Sequence, residues 1–453
     1  MVTALIIIIF LAMCALMYTK KLSALFVLPI MAFLIALVSG VPFNNVTADG
    51  ATVPGIWTLL FVDGPVRLAG TVKILIFGAI LSQMIKITGI AETIVKKISE
   101  LAGDRPLVLG IALFLVLSLL FTTLGGLGAV IMIGTIVFPI MASVGITKIS
   151  AACILLFGLS TGGIFNLANW GLFINVLGLE VSEIRTFAFP LGGVFILMGI
   201  LFIVFQEKFG GKFIKRQRVA WPAPDTSVEP GAQEGADVAG APAVAASPQS
   251  PENKVRLVAL ITPIIPLILV LVLDTHIITG LVAAIVFCLF ATINRESVKN
   301  LTKAVTEGIG EAAGAIFLLI GIGMLLMVVM DARVTANIGP VIGDILPQSR
   351  IMFVIFFAIL APLALYRGPL NIWGLGLGLG AIMFGTGVLP AFAIMAALMS
   401  TGQLQGICDP TNTHNVWTAS ATNVDVNDIL RKTLPFVWCG AVIGLIIAGF
   451  MAF

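Results

Sequence analysis

Apolar runs follow one another along most of the chain, each close to the ~20 residues that span a bilayer. They predict membrane helices near 2–18, 22–40, 68–90, 148–178 and 187–207, and again near 255–273, 277–293, 309–330, 388–422 and 433–452. Two of these runs, 148–178 and 388–422, are too long for one crossing and each holds a polar stretch, so each reads as a broken helix. Two further runs, near 105–144 and 350–387, are interrupted by Gly-rich or polar residues. Their arms of roughly 15–17 residues, about 22–25 Å at 1.5 Å per residue, predict re-entrant hairpins, with two full crossings as the alternative. The expected fold class is therefore an all-α polytopic membrane protein.

The pattern fails between 219 and 253, where Pro, Ala, Gly, Ser and acidic residues dominate. Such a stretch cannot bury enough apolar area to offset the entropy of ordering, which predicts a disordered cytoplasmic linker. It separates residues 1–218 from 254–453. About five crossings in each half is an odd number, so the second half enters the membrane in the opposite sense. Two inverted-topology repeats follow, each with about five transmembrane helices, a re-entrant hairpin and a broken helix. Ser160-Thr161-Gly162 and Ser400-Thr401-Gly402 mark the same slot in the two halves, and Gly125 and Gly368 mark the two hairpin tips.

Composition agrees: 59% of residues are hydrophobic and 10% charged, against about a quarter charged in soluble domains. Charge placement sets the orientation. With the N-terminus outside, about 19 of the 25 basic residues fall on cytoplasmic flanks, as the positive-inside rule requires. The first apolar run has no basic start, and Lys20-Lys21 follow it, so it reads as a retained helix and not a signal peptide. Both termini are expected on the periplasmic side of an inner membrane.

Several classes of function are excluded. No basic stripe with interleaved aromatics points to nucleic acid. The five cysteines are scattered and imply neither a metal site nor a disulfide framework. Gly374, Gly376, Gly378 and Gly380 form GLGLGLG without a preceding strand or a Lys-Ser/Thr, which reads as close helix packing and not a phosphate loop. No nucleophile–base pair suggests an enzyme, and no cofactor is implied.

The candidate chemistry lies in four polar breaks: 122–128, 160–170, 366–371 and 400–417. Irregular backbone at membrane depth is tolerated where protein buries it or where it lines a wet cavity. Half-helix ends offer N–H groups to an anion and carbonyls to a cation. Arg367, at a hairpin tip between apolar arms, suits a carboxylate, with a structural ion pair or snorkelling as the plainer reading. Asp409, before Pro410, could hold Na⁺ or a proton with the carbonyls of Gly162 and Gly402, or cap a helix end. His414 could titrate or be a neutral loop residue. Thr122, Thr123, Ser160, Thr161, Asn166, Asn371, Ser400, Thr401 and Asn412 could bind substrate or simply satisfy the broken backbone.

LGGLGAVIMIGTIVFPIMASVGI at 124–146 resembles the gluconate permease pattern, and GGIFNLANWGLFINVLGLEVSEI at 162–184 is similar to the citrate–cation symporter pattern. The resemblance, to the ion-transporter superfamily, implies a homodimer whose hairpins and broken helices move as an elevator against a scaffold. It implies that Thr122, Thr123, Ser160, Thr161, Asn166, Ser400, Thr401 and Asn412 bind substrate carboxylate and coupling cation. Tyr366-Arg367-Gly368-Pro369-Leu370-Asn371 departs from the Ser-Asn-Thr type of tip. The expected function is symport of a small organic anion with H⁺ or Na⁺. The rivals are a Na⁺/H⁺ antiporter of the same architecture and the membrane subunit of a binding-protein-dependent carboxylate transporter.

Overall fold

The computed structural model describes residues 1–19, 21–48, 51–209 and 255–453. The predicted linker at 219–253 lies outside them. The described chain is helical, apart from a two-stranded hairpin, Val46–Ala48 with Ala51–Val53, in the loop after the second helix. The first half runs α1 (Val2–Tyr18), α2 (Ala24–Val38), a π-helical turn (Thr58–Asp63), α3 (Gly64–Arg67), α4 (Ala69–Ile87), α5 (Ile90–Ala102), α6 (Pro106–Leu120), α7 (Gly126–Ser143), α8 (Lys148–Ile164), α9 (Leu167–Leu177) and α10 (Val181–Phe209). The second half runs a 3-10 turn (Leu257–Ile264), α11 (Ile265–Leu271), α12 (Ile277–Ala291), α13 (Ser297–Val329), α14 (Ala332–Ile345) and α15 (Arg350–Leu360), which ends in a 3-10 turn (Ala361–Ala364). A π-helical turn (Ile372–Gly376), α16 (Leu377–Gly385), α17 (Ala391–Cys408), α18 (Thr413–Thr422) and α19 (Val426–Ala452) follow. Six of the described helices are long and apolar enough to cross a membrane, or eight spans if each bent pair is one. This is an all-α, multi-pass membrane protein.

The element order recurs. α2, α4, α5, α6 and α7 match α12, α13, α14, α15 and α16; α8–α9 match α17–α18, and α10 matches α19. In the slot before each hairpin sits an amphipathic helix that buries one narrow stripe: Ala91 and Val95 on α5, Val334 and Ile338 on α14, the spacing of one helical face. Equivalent helices run antiparallel where they meet. Gly64 packs on Met324 and Gly323, while Gly308 packs on the Ala79 backbone, so α3–α4 and α13 cross in opposite directions. Gly440 meets Phe195 and Met198, and Gly444 meets Leu191, which sets α10 against α19 in the same way. Glycines at these points let backbones approach closely enough for helices to pack without a hydrophobic driving force.

Three expectations need adjusting. α13 is 33 residues long and begins at Ser297, not near 309. Its charged first turns extend the apolar run outward, with Lys303 and Glu307 paired at 3.7 Å on the exposed face. In the first hairpin α6 has 15 residues and α7 has 18. At 1.5 Å per residue the second arm reaches about 27 Å, close to the bilayer core. The GLGLGLG stretch is not one packed helix. Gly378 and Gly380 do pack, on Leu325 and Leu398. Gly374, however, is non-helical (φ −139, ψ −124), and a Cβ at Gly376 would lie 2.6 Å from Asn371 O.

Candidate functional site

The two broken helices are built alike, by asparagines. Asn166 is the N-cap of α9, its side chain accepting from Ala168 N at 3.0 Å. Asn412 is the N-cap of α18 and accepts from His414 N at 3.3 Å. Three residues on, Asn169 donates to Gly163 O at 2.8 Å and Asn415 donates to Asp409 O at 3.0 Å, each reaching back six residues. Each half-helix also ends on a left-handed residue, Gly178 (φ 70) and Asn423 (φ 52), which closes it with spare carbonyls satisfied. The break is thus held open by side-chain amides that replace the missing backbone bonds.

Hydrogen bonds and packing link all four breaks. Asn166 Nδ2 donates to Phe121 O at 3.3 Å, tying the first hairpin tip to the first broken helix. Ser160 Oγ donates to Gln403 Oε1 at 2.7 Å, a buried bond that joins the two halves. Beside it a Cβ on Gly406 would run into Ser160 Oγ, so glycine is required for the approach. Gln405 Oε1 accepts from Ile372 N at 3.0 Å, and Gln405 O accepts from Asn412 Nδ2 at 3.2 Å, joining the second hairpin to the second broken helix. Trp417 of α18 stacks on Phe138 of α7, with ring centroids 6.1 Å apart.

Asp409 is the acidic residue at the centre of this network and is 0% exposed. Its Oδ1 accepts from Thr411 N at 2.8 Å and Thr411 Oγ1 at 2.7 Å, and its Oδ2 accepts from Arg367 N at 3.3 Å. The carboxylate therefore sits directly against the second hairpin tip. That tip is strained: Tyr366 (φ 54) and Arg367 (φ 55) are consecutive left-handed residues with side chains, each costing of order 1–3 kcal/mol. A Cβ at Gly368 would run into Leu363 O, so the turn is also tight. Among the described residues no hydrogen bond or ion pair holds the Arg367 guanidinium; Arg367 bonds Asp409 through its backbone N–H. Asn371 Nδ2 closes the base of the hairpin on Ala364 O at 3.4 Å.

Other candidate side chains are used locally. Thr122 and Thr123 hydroxyls donate to Leu119 O and Leu120 O at 2.7 and 3.2 Å, satisfying the end of α6. Thr401 donates to Ala397 O at 2.9 Å inside α17. Ser400 Oγ faces Gly444 of α19. Thr161 Oγ1 and Ser400 Oγ are buried without a hydrogen-bond partner among the described residues. His414 Nδ1 lies 3.0 Å from Asn412 Oδ1.

The two Ser-Thr-Gly triplets do not occupy the same register. α8 ends at Ile164, just after Gly162, whereas α17 continues to Cys408. The carbonyl of Gly402 therefore lies within a continuous helix and is engaged in its i→i+4 ladder, so it is not free for a cation. Gly162 and Gly402 act as contact points instead. A Cβ on Gly162 would run into Ser118 O, and one on Gly402 would lie 2.8 Å from Ile372 Cδ1. Gln403, Gln405 and Thr411 carry the network and were not singled out by spacing. Polar Gln on two faces of an apolar helix was the available signal. Among the described residues no group of three His, Cys, Asp or Glu side chains could hold a metal ion.

No family model matches the chain, and no curated protein matches it in sequence. Its fold is similar to that of the YdaH transporter of Alcanivorax borkumensis (TM-score 0.54, 12% identity), with 93% of this chain and 96% of that one covered. It is also similar to MtrF of Neisseria gonorrhoeae, described as illuminating a class of antimetabolite efflux pumps (TM-score 0.51, 16% identity, 94% of this chain and 93% of that one). At these identities the likeness is one of fold, and it runs over nearly the whole length of each chain.

Proposed function

We propose that the protein is a secondary active transporter that moves a small organic anion across the bacterial inner membrane, coupled to H⁺ or Na⁺. The observation that carries this reading is the second hairpin: a strained Tyr366–Arg367 tip, seated by its backbone on a fully buried Asp409. Strain of this kind persists only where surrounding structure holds it, and it gathers at ligand-binding positions. A guanidinium at such a tip offers a planar fork to a carboxylate. The Asp409 carboxyl group beside it offers a partner to a cation, so an anion and a cation arriving together leave less uncompensated charge than either alone. Polar breaks knit together across an antiparallel pair of halves are what a substrate site on a pseudo-two-fold axis requires. The fold shared with two transporters supports transport as the class of activity.

In this reading the N- and C-termini are periplasmic, the segment 219–253 is a cytoplasmic linker, the protein works as a homodimer, and the hairpins with the broken helices move as one elevator body. A gluconate-, citrate- or dicarboxylate-like substrate follows from the sequence resemblance alone. The fold likeness to an efflux pump favours one alternative, export of an organic anion in exchange for protons. Purified protein in liposomes, given radiolabelled gluconate, citrate or succinate under imposed H⁺ or Na⁺ gradients, tests both. Accumulation driven by an inward cation gradient supports symport, and driven by an outward proton gradient it supports exchange. Transport undiminished by Arg367→Ala would remove Arg367 from the anion site.

A further inference from the structure

Outside the network of breaks, the antiparallel crossing of α4 and α13 holds the second unusual polar cluster. Lys86 Nζ and Glu311 Oε1 form an ion pair at 3.1 Å, with about a fifth of each side chain exposed (20% and 22%). Lys86 comes late in α4 and Glu311 lies beyond Gly308, so their Cα atoms are well separated along the crossing. They meet because helical side chains point toward their own N-terminus, and in antiparallel helices those directions converge. The first hairpin closes over the pair. α7 begins at Gly126 (φ 80), and a Cβ on Gly128 would run into Glu311 Oε1. A carboxylate thus rests on the positive end of an 18-residue helix whose glycines leave room for it.

An independent observation comes from Gln83. It is 1% exposed, yet neither its Nε2 nor its Oε1 has a hydrogen-bond partner among the described residues. A buried orphan amide costs about 1–3 kcal/mol, so one in a tightly packed helix crossing calls for a ligand. By helical register Gln83 shares a face with Ala79, whose backbone meets Gly308, and with Lys86. That face is the one turned to α13.

We propose that Glu311, together with the Gln83 carboxamide, forms a site for a small monovalent metal cation such as Na⁺, and that filling it releases the first hairpin from α4 and α13. The ligand chemistry is that of a carboxylate backed by an amide oxygen. In the described conformation the Lys86 ammonium acts as the resident counter-ion on a long, flexible stem. An arriving cation neutralises Glu311, frees Lys86 to reach water, and removes the attraction between the carboxylate and the α7 N-terminus. Lys86 is the charged group that α4 turns to this carboxylate, and α7 carries no titratable residue. On α13 itself Lys303 and Glu307 pair with each other on the exposed face. The proposal deepens the transport reading by giving the coupling cation a second place, on the scaffold side of the hairpin.

Hydrogen exchange of the full chain in detergent tests this without a transport substrate. Exchange is followed in the peptide spanning 122–132, at constant pH with Na⁺ against choline. Exchange in the wild type should rise several-fold with Na⁺. Glu311→Gln, a mimic of the neutralised carboxylate, should be fast under all conditions and unresponsive. Glu307→Gln should behave as wild type. Lys86→Met removes the competing ammonium, so its half-response should move to lower Na⁺. A wild type that does not respond to Na⁺, or a Glu311→Gln protein that responds as the wild type does, overturns the proposal. Neither outcome touches the anion site at Arg367, which liposome uptake reports separately.

Discussion

The break between α8 and α9 and the break between α17 and α18 share a frame and differ in charge. Both have an asparagine N-cap, a second asparagine reaching back six residues, and a left-handed stop. Only the second carries a carboxylate, and only its hairpin carries adjacent left-handed side chains. In the first, α8 and α9 are bent by 45° across two residues, Phe165 and Asn166. In the second, four residues, Asp409 to Asn412, separate the helices. What is common holds each break open; what differs, the carboxylate and the strained tip, is what the proposed anion site draws on.

Substitutions can break this comparison. The largest effect is expected at Asp409. Asp409→Ala takes the acceptor away from Thr411 N, Thr411 Oγ1 and Arg367 N and empties a fully buried position, and should cost about 3 kcal/mol, read by denaturant titration in detergent micelles; transport should be lost with it. Gly162→Ala pushes a methyl into the Ser118 carbonyl and should cost about 2 kcal/mol, whereas Gly402→Ala meets the movable end of Ile372 and should cost less than about 1 kcal/mol. Equal costs would show that α8 is free to shift. Asn166→Ala and Asn412→Ala each lose a cap and should cost about 1 kcal/mol apiece; a large inequality would mean the shared frame carries unequal loads. Smallest, and opposite in sign, Arg367→Gly relieves a left-handed side chain and should stabilise the protein by about 0.5 kcal/mol while abolishing anion transport.

Most of the helical architecture is legible in the sequence because hydrophobic periodicity and length decide membrane helices almost alone. The positions of the breaks are legible for the same reason, since polar residues within apolar runs must be satisfied somewhere. Register within the breaks is not. Ser-Thr-Gly is a tempting pair of landmarks, but helix ends are fixed by caps, and the true landmarks are Asn166-Leu-Ala-Asn169-Trp170 and Asn412-Thr-His-Asn415-Val-Trp417. Long-range partnerships are hidden more deeply. Nothing in the neighbourhood of Ser160 announces Gln403, and nothing near Lys86 announces Glu311, because each pair is made by the crossing of helices from different halves. Strain at Tyr366 and Arg367 is equally silent, since a tip without glycine at those positions looks like any polar turn.

Where α13 crosses α3–α4, Gly64 faces Gly323, and Gly308 faces the backbone of Ala79. Interfaces usually drift over evolutionary time by compensation, one side growing as the other shrinks. Here the contact partners are already glycine or bare backbone, so no smaller replacement exists to absorb an enlargement opposite. Descendants of the same ancestral gene should therefore keep these small residues together while their lipid-facing surfaces wander.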